Sequence, residues 1–377
     1  MSEYQYYEFR SIDRPLTAKE QEEIESWSSR TSPTVTGAIF IYNYGDFPKD
    51  KKRVVEQYFD ALFYIANWGT KRLIFKFPKD LVDIEAIKQY CTHEEISMSE
   101  SGNNLLVDFY FSDEEGYGWI NGEGWLTSLL DLRNNIMHGD YRSLYLAWLH
   151  ACSLHSEWED FDNDDEPEPP VPDHLDSLNG ALKSLVEILE MNQDILAVAI
   201  KASRAKKEQP EFDIKGLVQH LSDGEKIDFL VRLAQGEPLL TTRLLKRLRE
   251  LSTVPGQIPV NISGRTIGTI LREAEQFRQK RKAVERKRKE ALRLKQLAEL
   301  EAKESELWKE VNRNISEKKP KAYDTSIKIL QDLHKLAKHK DKQMEYERNI
   351  QNILKKYSRL SSLKAKIIGA QLIRNFD

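Results

Sequence analysis

One run of this 377-residue chain, from 269 to 319, contains neither proline nor glycine. At 1.5 Å per residue, these roughly fifty residues would form a helix about 75 Å long if it were continuous. Few globular helices reach that length. The run therefore predicts an extended helical arm, which Pro320 and the lysines around it bring to an end.

Charge is divided unevenly between the two parts of the chain. Residues 241–377 hold 34 of the 57 Lys and Arg but only 17 of the 61 Asp and Glu, a net charge of +17. Residues 1–240 consequently carry −21, although the whole chain sums to −4. Because 40% of the residues are apolar, the composition excludes wholesale disorder. The sequence thus predicts an acidic folded head and a basic helical arm.

The first 155 residues alternate between strand and helix patterns. Strands are expected over 6–12, 34–42 and 72–77, and as a hairpin of 96–99 with 104–111. Helices are expected over 17–27, 54 to about 69, 82–90, 125–137 and 140–152. This order predicts an α+β chain whose N-terminal domain, residues 1–155, is a ferredoxin-like α/β sandwich with helices covering the sheet.

The remainder of the chain reads as helical. In residues 157–173, nine acidic residues and four prolines fill 13 of 17 positions, which is typical of a solvated linker. The predicted organisation after the head is an acidic Pro-rich linker (156–173), a small helical bundle (174–253), a long basic helix (265–317) and a C-terminal helical hairpin (322–377).

A dense basic cluster lies within the long predicted helix. Its eight cations are Arg278, Lys280, Arg281, Lys282, Arg286, Lys287, Arg288 and Lys289. Helical spacing distributes them around the helix, so that a duplex phosphate backbone would meet one face only. No aromatic residue interleaves the run, which argues against stacking on single strands. Two other interpretations stay open: a solvated charged helix, and docking of the acidic segment 157–168 on the arm.

Aromatic residues in the loops of the head are candidates for contacts with a protein partner. The glycine-rich segment 114–125 lacks the spacing of a phosphate-binding loop, so that it is read either as a turn or as an aromatic docking surface. The candidate protein-binding residues are Arg14, Tyr44, Asp46, Trp68, Trp119 and Trp125.

No catalytic, cofactor-binding or metal-binding pattern stands out. The cysteines, Cys91 and Cys152, lie in apolar helical patterns and are expected to be buried reduced thiols. His93 lies two residues before a glutamate and His150 two before Cys152, but neither has the context of a known triad or metal site. An enzyme of unrecognised class is the least favoured interpretation.

The N-terminus lacks the basic and apolar regions of a signal peptide, and no stretch approaches 18 uninterrupted apolar residues. The expectation is a cytoplasmic protein without a membrane segment or a cofactor.

Several segments resemble an uncharacterised bacterial protein family. They include YEFRSIDRPLT (7–17), YFDALFYIANWGT (58–70), GDYRSLYLAWL (139–149) and SGRTIGTILREAE (263–275), so that the similarity spans nearly the whole chain. The resemblance implies a bacterial cytosolic protein with an α/β head and a helical tail, and it transfers no active-site residue. Accessory proteins encoded beside type III-E CRISPR effectors are a family context that this resemblance suggests.

Two functions follow as hypotheses. The first is a non-catalytic interaction, scaffold or regulatory accessory protein whose acidic head binds a protein partner. The alternative is a nucleic-acid-associated accessory factor, for example of a CRISPR or other defence system, in which the basic helix contacts phosphates.

Overall fold

The computed structural model describes residues 3–112, 121–155, 165–204, 213–252 and 264–373. The chain divides into two compact units, residues 1–278 and 279–377.

The first unit begins with strands and then becomes helical. Its strands are β1 (Gln5–Arg10), β2 (Gly37–Tyr42), β3 (Ala61–Ala66), β4 (Lys71–Pro78), β5 (Ile96–Ser101) and β6 (Asn104–Phe111). Its helices are α1 (Ala18–Glu25), α2 (Lys51–Tyr58), α3 (Ile84–Lys88), α4 (Trp125–Met137), α5 (Arg142–His155), α6 (Gly180–Ile188), α7 (Gln193–Ala202), α8 (Ile214–Gln219), α9 (Asp223–Ala234) and α10 (Leu240–Leu251). The boundary between the units falls within α11 (Ile267–Ala302), and the second unit continues with α12 (Glu304–Ser316), α13 (Pro320–His339), α14 (Gln343–Lys356) and α15 (Ser361–Gly369).

The six strands form one sheet in the order β2-β1-β3-β4-β6-β5. All five neighbouring pairs are antiparallel. The predicted α+β class, a strand-rich head followed by helices, is therefore confirmed. The ferredoxin-like arrangement is not confirmed, because the helical connection from β1 to β2 joins antiparallel neighbours and makes no parallel crossover.

The predicted helix from residue 54 to about 69 is wrong in its second half. The chain leaves α2 at Phe59, whose backbone is extended, and enters β3 two residues later. Every residue of β3 is buried, because helices cover both faces of the sheet. A strand buried on both faces is a continuous apolar run without alternation, and such a run cannot be told from a buried helix by periodicity.

Two hydrophobic cores lie on opposite faces of the sheet. On one face, α1 and α2 pack over β1, β2 and β3, burying Phe9, Phe40 and Phe59. On the other face, α4 and α5 pack over the sheet and bury Leu129 and Trp148. The apolar residues of α6, α7 and the first turns of α11 belong to this second core as well. Helices α8 and α9 differ, since none of their residues is buried.

Asp60, in the bend between α2 and β3, is a buried carboxylate that fixes the loop after β1. Its Oδ2 accepts hydrogen bonds from the backbone N–H groups of Ile12 and Asp13 at 2.6 and 2.9 Å, and its Oδ1 lies 3.1 Å from Lys76 Nζ. Burial alone would raise the pKa of Asp60, but the charges of Lys76 and Arg133 and the two N–H donors outweigh it and lower the pKa.

Because its pKa is lowered in the folded state, Asp60 stabilises the head above the pKa of an unfolded aspartate, near 4, and this contribution is lost as the pH falls below that value. We expect Asp60→Asn to destabilise the head by about 2–4 kcal/mol at pH 7. The difference in the free energy of unfolding between Asp60→Asn and wild type should shrink as the pH falls below about 4. Urea unfolding from pH 7 to pH 3 measures both effects. The exposed Asp131→Asn is the control, and a deficit that is independent of pH would contradict the assignment.

The segment before α6 is tied to the start of α11. Glu168, which is 5% exposed, accepts two hydrogen bonds from the Arg265 guanidinium at 2.6 and 2.9 Å. The Tyr145 hydroxyl of α5 donates to the same carboxylate at 2.5 Å. Backbone hydrogen bonds from Glu168 to Arg265 and from Ile267 to Glu166 complete the contact. The acidic segment thus binds just before α11, whereas residues 157–164 of the predicted docking segment lie outside the described residues.

The helix expected over 265–317 is in fact two helices. α11 ends at Ala302, Lys303 leaves the helical conformation (φ −107°, ψ 6°), and α12 begins at Glu304. No proline or glycine marks this break. Packing supplies the reason, because the apolar stripe of α12 buries Val311 and Ile315 against α13, in the core of the second unit. The predicted C-terminal hairpin likewise comprises three helices, α13 to α15.

Among the residues described, no helix combines the length and the apolar character needed to cross a membrane.

Candidate functional site: a cleft over the sheet of the head

A row of large side chains crosses four strands on the sheet face that α2 covers. Tyr7 of β1 lies opposite Tyr64 of β3, Tyr64 lies opposite Arg72 of β4, and Arg72 lies opposite Tyr110 of β6. Residues directly opposite in antiparallel strands bring their side chains into contact. The Tyr7 and Tyr64 rings accordingly stack with centroids 4.5 Å apart, and the Arg72 guanidinium lies 5.5 Å from the centre of the Tyr110 ring.

The N-terminus of α2 places two lysines beside this row. Asp50 caps the helix by accepting a hydrogen bond from the Arg53 N–H, which starts the helix at Lys51. The Lys51 ammonium lies 5.5 and 5.7 Å from the ring centres of Tyr7 and Tyr64, within the range of cation–π attraction. It is also 3.6 Å from Asp46 Oδ2 in the loop after β2.

Asp108 of β6 anchors the other side of the row. Its buried carboxylate accepts two hydrogen bonds from Arg72, at 2.9 and 2.8 Å, and lies 3.0 Å from Lys52 Nζ. Two-point pairing fixes the plane of the guanidinium, so that Arg72 is held in place over the Tyr110 ring.

Together these side chains line a cleft of about 490 Å³. The wall is partly apolar, because Trp68 and Tyr110 are 39% and 43% exposed, and partly charged. The lining residues are Asp46, Lys51, Tyr64, Trp68, Thr70, Arg72, Glu94, Asp108 and Tyr110. Aromatic surface beside a few fixed polar groups is typical of binding sites in proteins.

Hydrogen bonds fix the protonation of the floor of the cleft. The Tyr7 hydroxyl donates to Asp46 Oδ1 at 2.5 Å, and the Tyr64 hydroxyl donates to Gln5 Oε1 at 3.1 Å. Burial raises the pKa of Tyr7, and the neighbouring Asp46 carboxylate raises it further. Partial burial would raise the pKa of Asp46, but the donors Tyr7 and Phe47 N–H and the Lys51 charge lower it overall. At neutral pH the floor therefore presents a carboxylate held by a phenol and an ammonium.

Of the six residues predicted to bind a protein, two line the cleft: Asp46 and Trp68. Tyr44 is 79% exposed but is not among the lining residues. Arg14 forms an ion pair of 2.6 Å with Glu20, the last residue of the capping box of α1. This local contact gives Arg14 a structural role at the start of the helix. Trp125 is partly buried against the core beneath α4. Trp119 lies outside the described residues.

The remaining residues of the cleft were missed. Thr70 and Glu94 lie in connections, and the others lie in strands or helices, where each was explained as part of its element. Lys51 lies in α2, and Tyr64, Arg72, Asp108 and Tyr110 lie in strands. The available signal was charge inside strands: Asp108 interrupts the apolar run of β6, and Arg72, of opposite sign, directly precedes the apolar run of β4. Buried charges in strands are rarely left unpaired, so that their pairing could have been proposed.

A second cluster of chemistry-bearing residues lies beneath α5. Cys152 Sγ is 3.6 Å from His93 Nε2, and the same nitrogen is 3.7 Å from Glu166 Oε1. Both contacts use one nitrogen, whereas a nucleophile–base–carboxylate relay uses the two nitrogens separately. Burial, together with Glu166, raises the pKa of Cys152, and burial raises that of Cys91 to about 11. Both cysteines are therefore thiols at neutral pH, as the sequence predicts.

Within the described ranges, no group of three or more His, Cys, Asp or Glu residues is arranged to hold a metal ion.

The basic cluster is exposed along its whole length. Every residue from Arg278 to Gln296 is exposed, including all eight predicted phosphate contacts. Ion pairs within the helix engage part of this charge, since Arg278 lies 3.4 Å from Glu275 and Lys289 lies 2.7 Å from Glu285.

Comparison with protein-family models, with curated proteins and with solved structures finds no match to this chain.

Proposed function

We propose that this protein is a non-catalytic interaction protein whose head binds an extended segment of a protein partner in the cleft over the sheet. The observation that carries the proposal is the cleft itself, in which Trp68 and Tyr110 expose aromatic surface beside the fixed charges of Lys51 and Arg72. Exposed aromatic and arginine side chains dominate the binding energy of protein interfaces. Action in the bacterial cytoplasm, and a link to CRISPR accessory proteins, remain further predictions from the resemblance.

Rigidity supports this proposal. Arg72 is locked by Asp108, and the Tyr7–Tyr64 stack is locked by Asp46 and Gln5. Side chains that are already ordered lose little conformational freedom on binding, so that more of the contact energy appears as affinity.

The charges indicate the chemistry of the partner. The charge of Arg72 is neutralised by its two-point contact with the buried Asp108. Lys51, besides its cation–π contacts with two tyrosine rings, has a longer ion pair of 3.6 Å with the exposed Asp46. Lys51 is thus the cation that can take a further carboxylate at least cost. The proposed ligand is a segment with an acidic side chain directed at Lys51 and an aromatic or large apolar side chain against Trp68 and Tyr110.

Selection from a displayed library of random 12-residue peptides on the immobilised full chain tests the proposal. We expect the selected peptides to combine an acidic residue with an aromatic or large apolar one. Trp68→Ala should weaken the binding of a selected peptide by about 30-fold, the effect of losing an aromatic hot spot. Because Trp68 is half-exposed, this variant should keep the unfolding midpoint of the wild type.

Tyr44→Ala is the matched control, since it removes an exposed aromatic side chain that does not itself line the cleft, although it lies in the same loop as Asp46. It should leave peptide affinity within twofold of wild type. Equal losses in the two variants, or selected peptides without a shared acidic and aromatic pattern, would refute a binding role for the cleft.

A further inference from the structure

Helix α11 carries an exposed surface of a kind different from the cleft. The segment from Arg278 to Gln296 contains ten Lys and Arg residues but only two Glu residues, and all nineteen of its residues are exposed. Three large apolar residues in this stretch are exposed as well: Val284 (67%), Leu292 (57%) and Leu294 (43%). They are spread over about 160° of the helix circumference, an arc that also carries five of the cations, so that they form no continuous apolar stripe to pair with another helix. Charge is therefore the dominant property of this surface.

Eight of the ten cations form two rows along the helix, and Lys280 and Lys287 lie outside both rows. At 100° per residue, five of the eight fall within an arc of about 80° and extend along about 22 Å of the helix axis. The members of this first row are Arg278, Lys282, Arg286, Lys289 and Arg293. The second row, centred about 120° away, comprises Arg281, Arg288 and Lys295, spaced by seven residues.

Two parallel rows of cations match the geometry of a duplex groove. The major groove of B-DNA is about 12 Å wide and admits one α-helix, whose flanks then face the phosphates of both strands. We propose that the α11 segment 278–296 binds the phosphate backbone of duplex DNA, with the two rows facing opposite walls of the major groove.

The sequence of the segment favours a duplex over a single strand. No Tyr, Phe or Trp occurs between Arg278 and Leu307, and single-strand sites stack bases on aromatic side chains. The intrahelical pairs with Glu275 and Glu285 are exposed, and exposed ion pairs contribute little and are screened by salt. Phosphates can therefore replace these carboxylates at small cost. This inference does not depend on the cleft of the head.

Fluorescence anisotropy of a labelled 24-base-pair DNA duplex, titrated with the full chain, tests the proposed binding of DNA by α11. With eight phosphate contacts, log Kd should change with log salt concentration with a slope of about 7 between 50 and 200 mM. Neutralising the first row, in the variant R278Q/K282Q/R286Q/K289Q/R293Q, should weaken binding by about 100-fold at 50 mM salt and reduce the slope to about 3. Circular dichroism should show unchanged helicity, since glutamine is a good helix former.

The matched control neutralises five exposed lysines of α13 and α14, in the variant K321Q/K328Q/K335Q/K338Q/K355Q. It changes the net charge equally, and it should alter the affinity for the duplex less than threefold. Equal losses in both variants would show that net charge, and not the rows on α11, causes binding. Tighter binding of poly-glutamate than of the duplex would assign the surface to an acidic protein segment, and tighter binding of the corresponding single strand would exclude the groove geometry. Each of these three results overturns the proposal.

Discussion

Arg133→Ala is expected to lower the free energy of unfolding of the head by about 3–5 kcal/mol. Arg133 of α4 is fully buried, and its guanidinium donates to Asp13 at 2.8 and 2.6 Å and to the Lys76 carbonyl at 2.7 Å. One side chain thereby joins α4, the loop after β1 and strand β4. Its removal leaves a carboxylate and a carbonyl without these donors, together with a cavity beside Phe77.

Urea unfolding followed by tryptophan fluorescence measures this effect. The exposed Arg53→Ala is the control and should stay within about 0.5 kcal/mol of wild type. The double variant Asp13→Ala/Arg133→Leu should recover part of the loss, because it removes the stranded carboxylate and refills the space. If Arg133→Ala were as stable as wild type, Arg133 would not hold the loop after β1 in place.

Glu168→Ala should destabilise the first unit by a similar amount, about 3–5 kcal/mol. The Glu168 side chain is fully buried. Removing it would leave the buried Tyr145 hydroxyl without this acceptor, and the largely buried Arg265 guanidinium would lose its hydrogen bonds of 2.6 and 2.9 Å and keep the 3.3 Å contact with Glu273. Burial and the Glu168 charge raise the pKa of Tyr145 well above 10, so that this hydroxyl stays protonated and needs an acceptor at every physiological pH.

Hydrogen exchange of the backbone amides distinguishes a local role for Glu168 from a global one. We expect exchange to accelerate first at Glu168 and Ile267, whose amides bond across the contact between the two segments. Glu168→Gln keeps the shape of the side chain and removes its charge, and it should lose about half as much stability as Glu168→Ala. The exposed Asp165→Ala, three residues away, should be neutral. Unchanged exchange at Ile267 in Glu168→Ala would contradict the role assigned to this contact.

Local signals in the sequence identified most elements of the head. Thr17 and Glu20 predict the capping box that the structure contains, and the turn at Gly102 joins β5 and β6 as expected. The errors arise where packing decides between local alternatives. β3 reads as a helix because both of its faces are buried, and Lys303 interrupts a favourable helical run because α12 packs on α13. Neither cause is visible in a window of neighbouring residues.

The cleft was predictable only in part, for a related reason. Asp46 and Trp68 lie in loops, where exposed aromatic and charged residues suggest binding. The cross-strand row from Tyr7 to Tyr110 depends on the register of four strands that are distant in sequence. That register is set by tertiary packing, so that residues such as Arg72 and Asp108 gain their partners only in the folded head.

The most direct test of the proposed function is a double-mutant cycle between Lys51 and the acidic residue of a selected peptide, measured by isothermal titration calorimetry. If the carboxylate binds Lys51, then Lys51→Gln and an acid-to-amide change in the peptide should be coupled by at least about 1 kcal/mol. The variant neutralised along the first row of α11 should bind the same peptide as wild type does. Additive effects of the two changes, or loss of peptide binding in the α11 variant, would contradict recognition in the cleft.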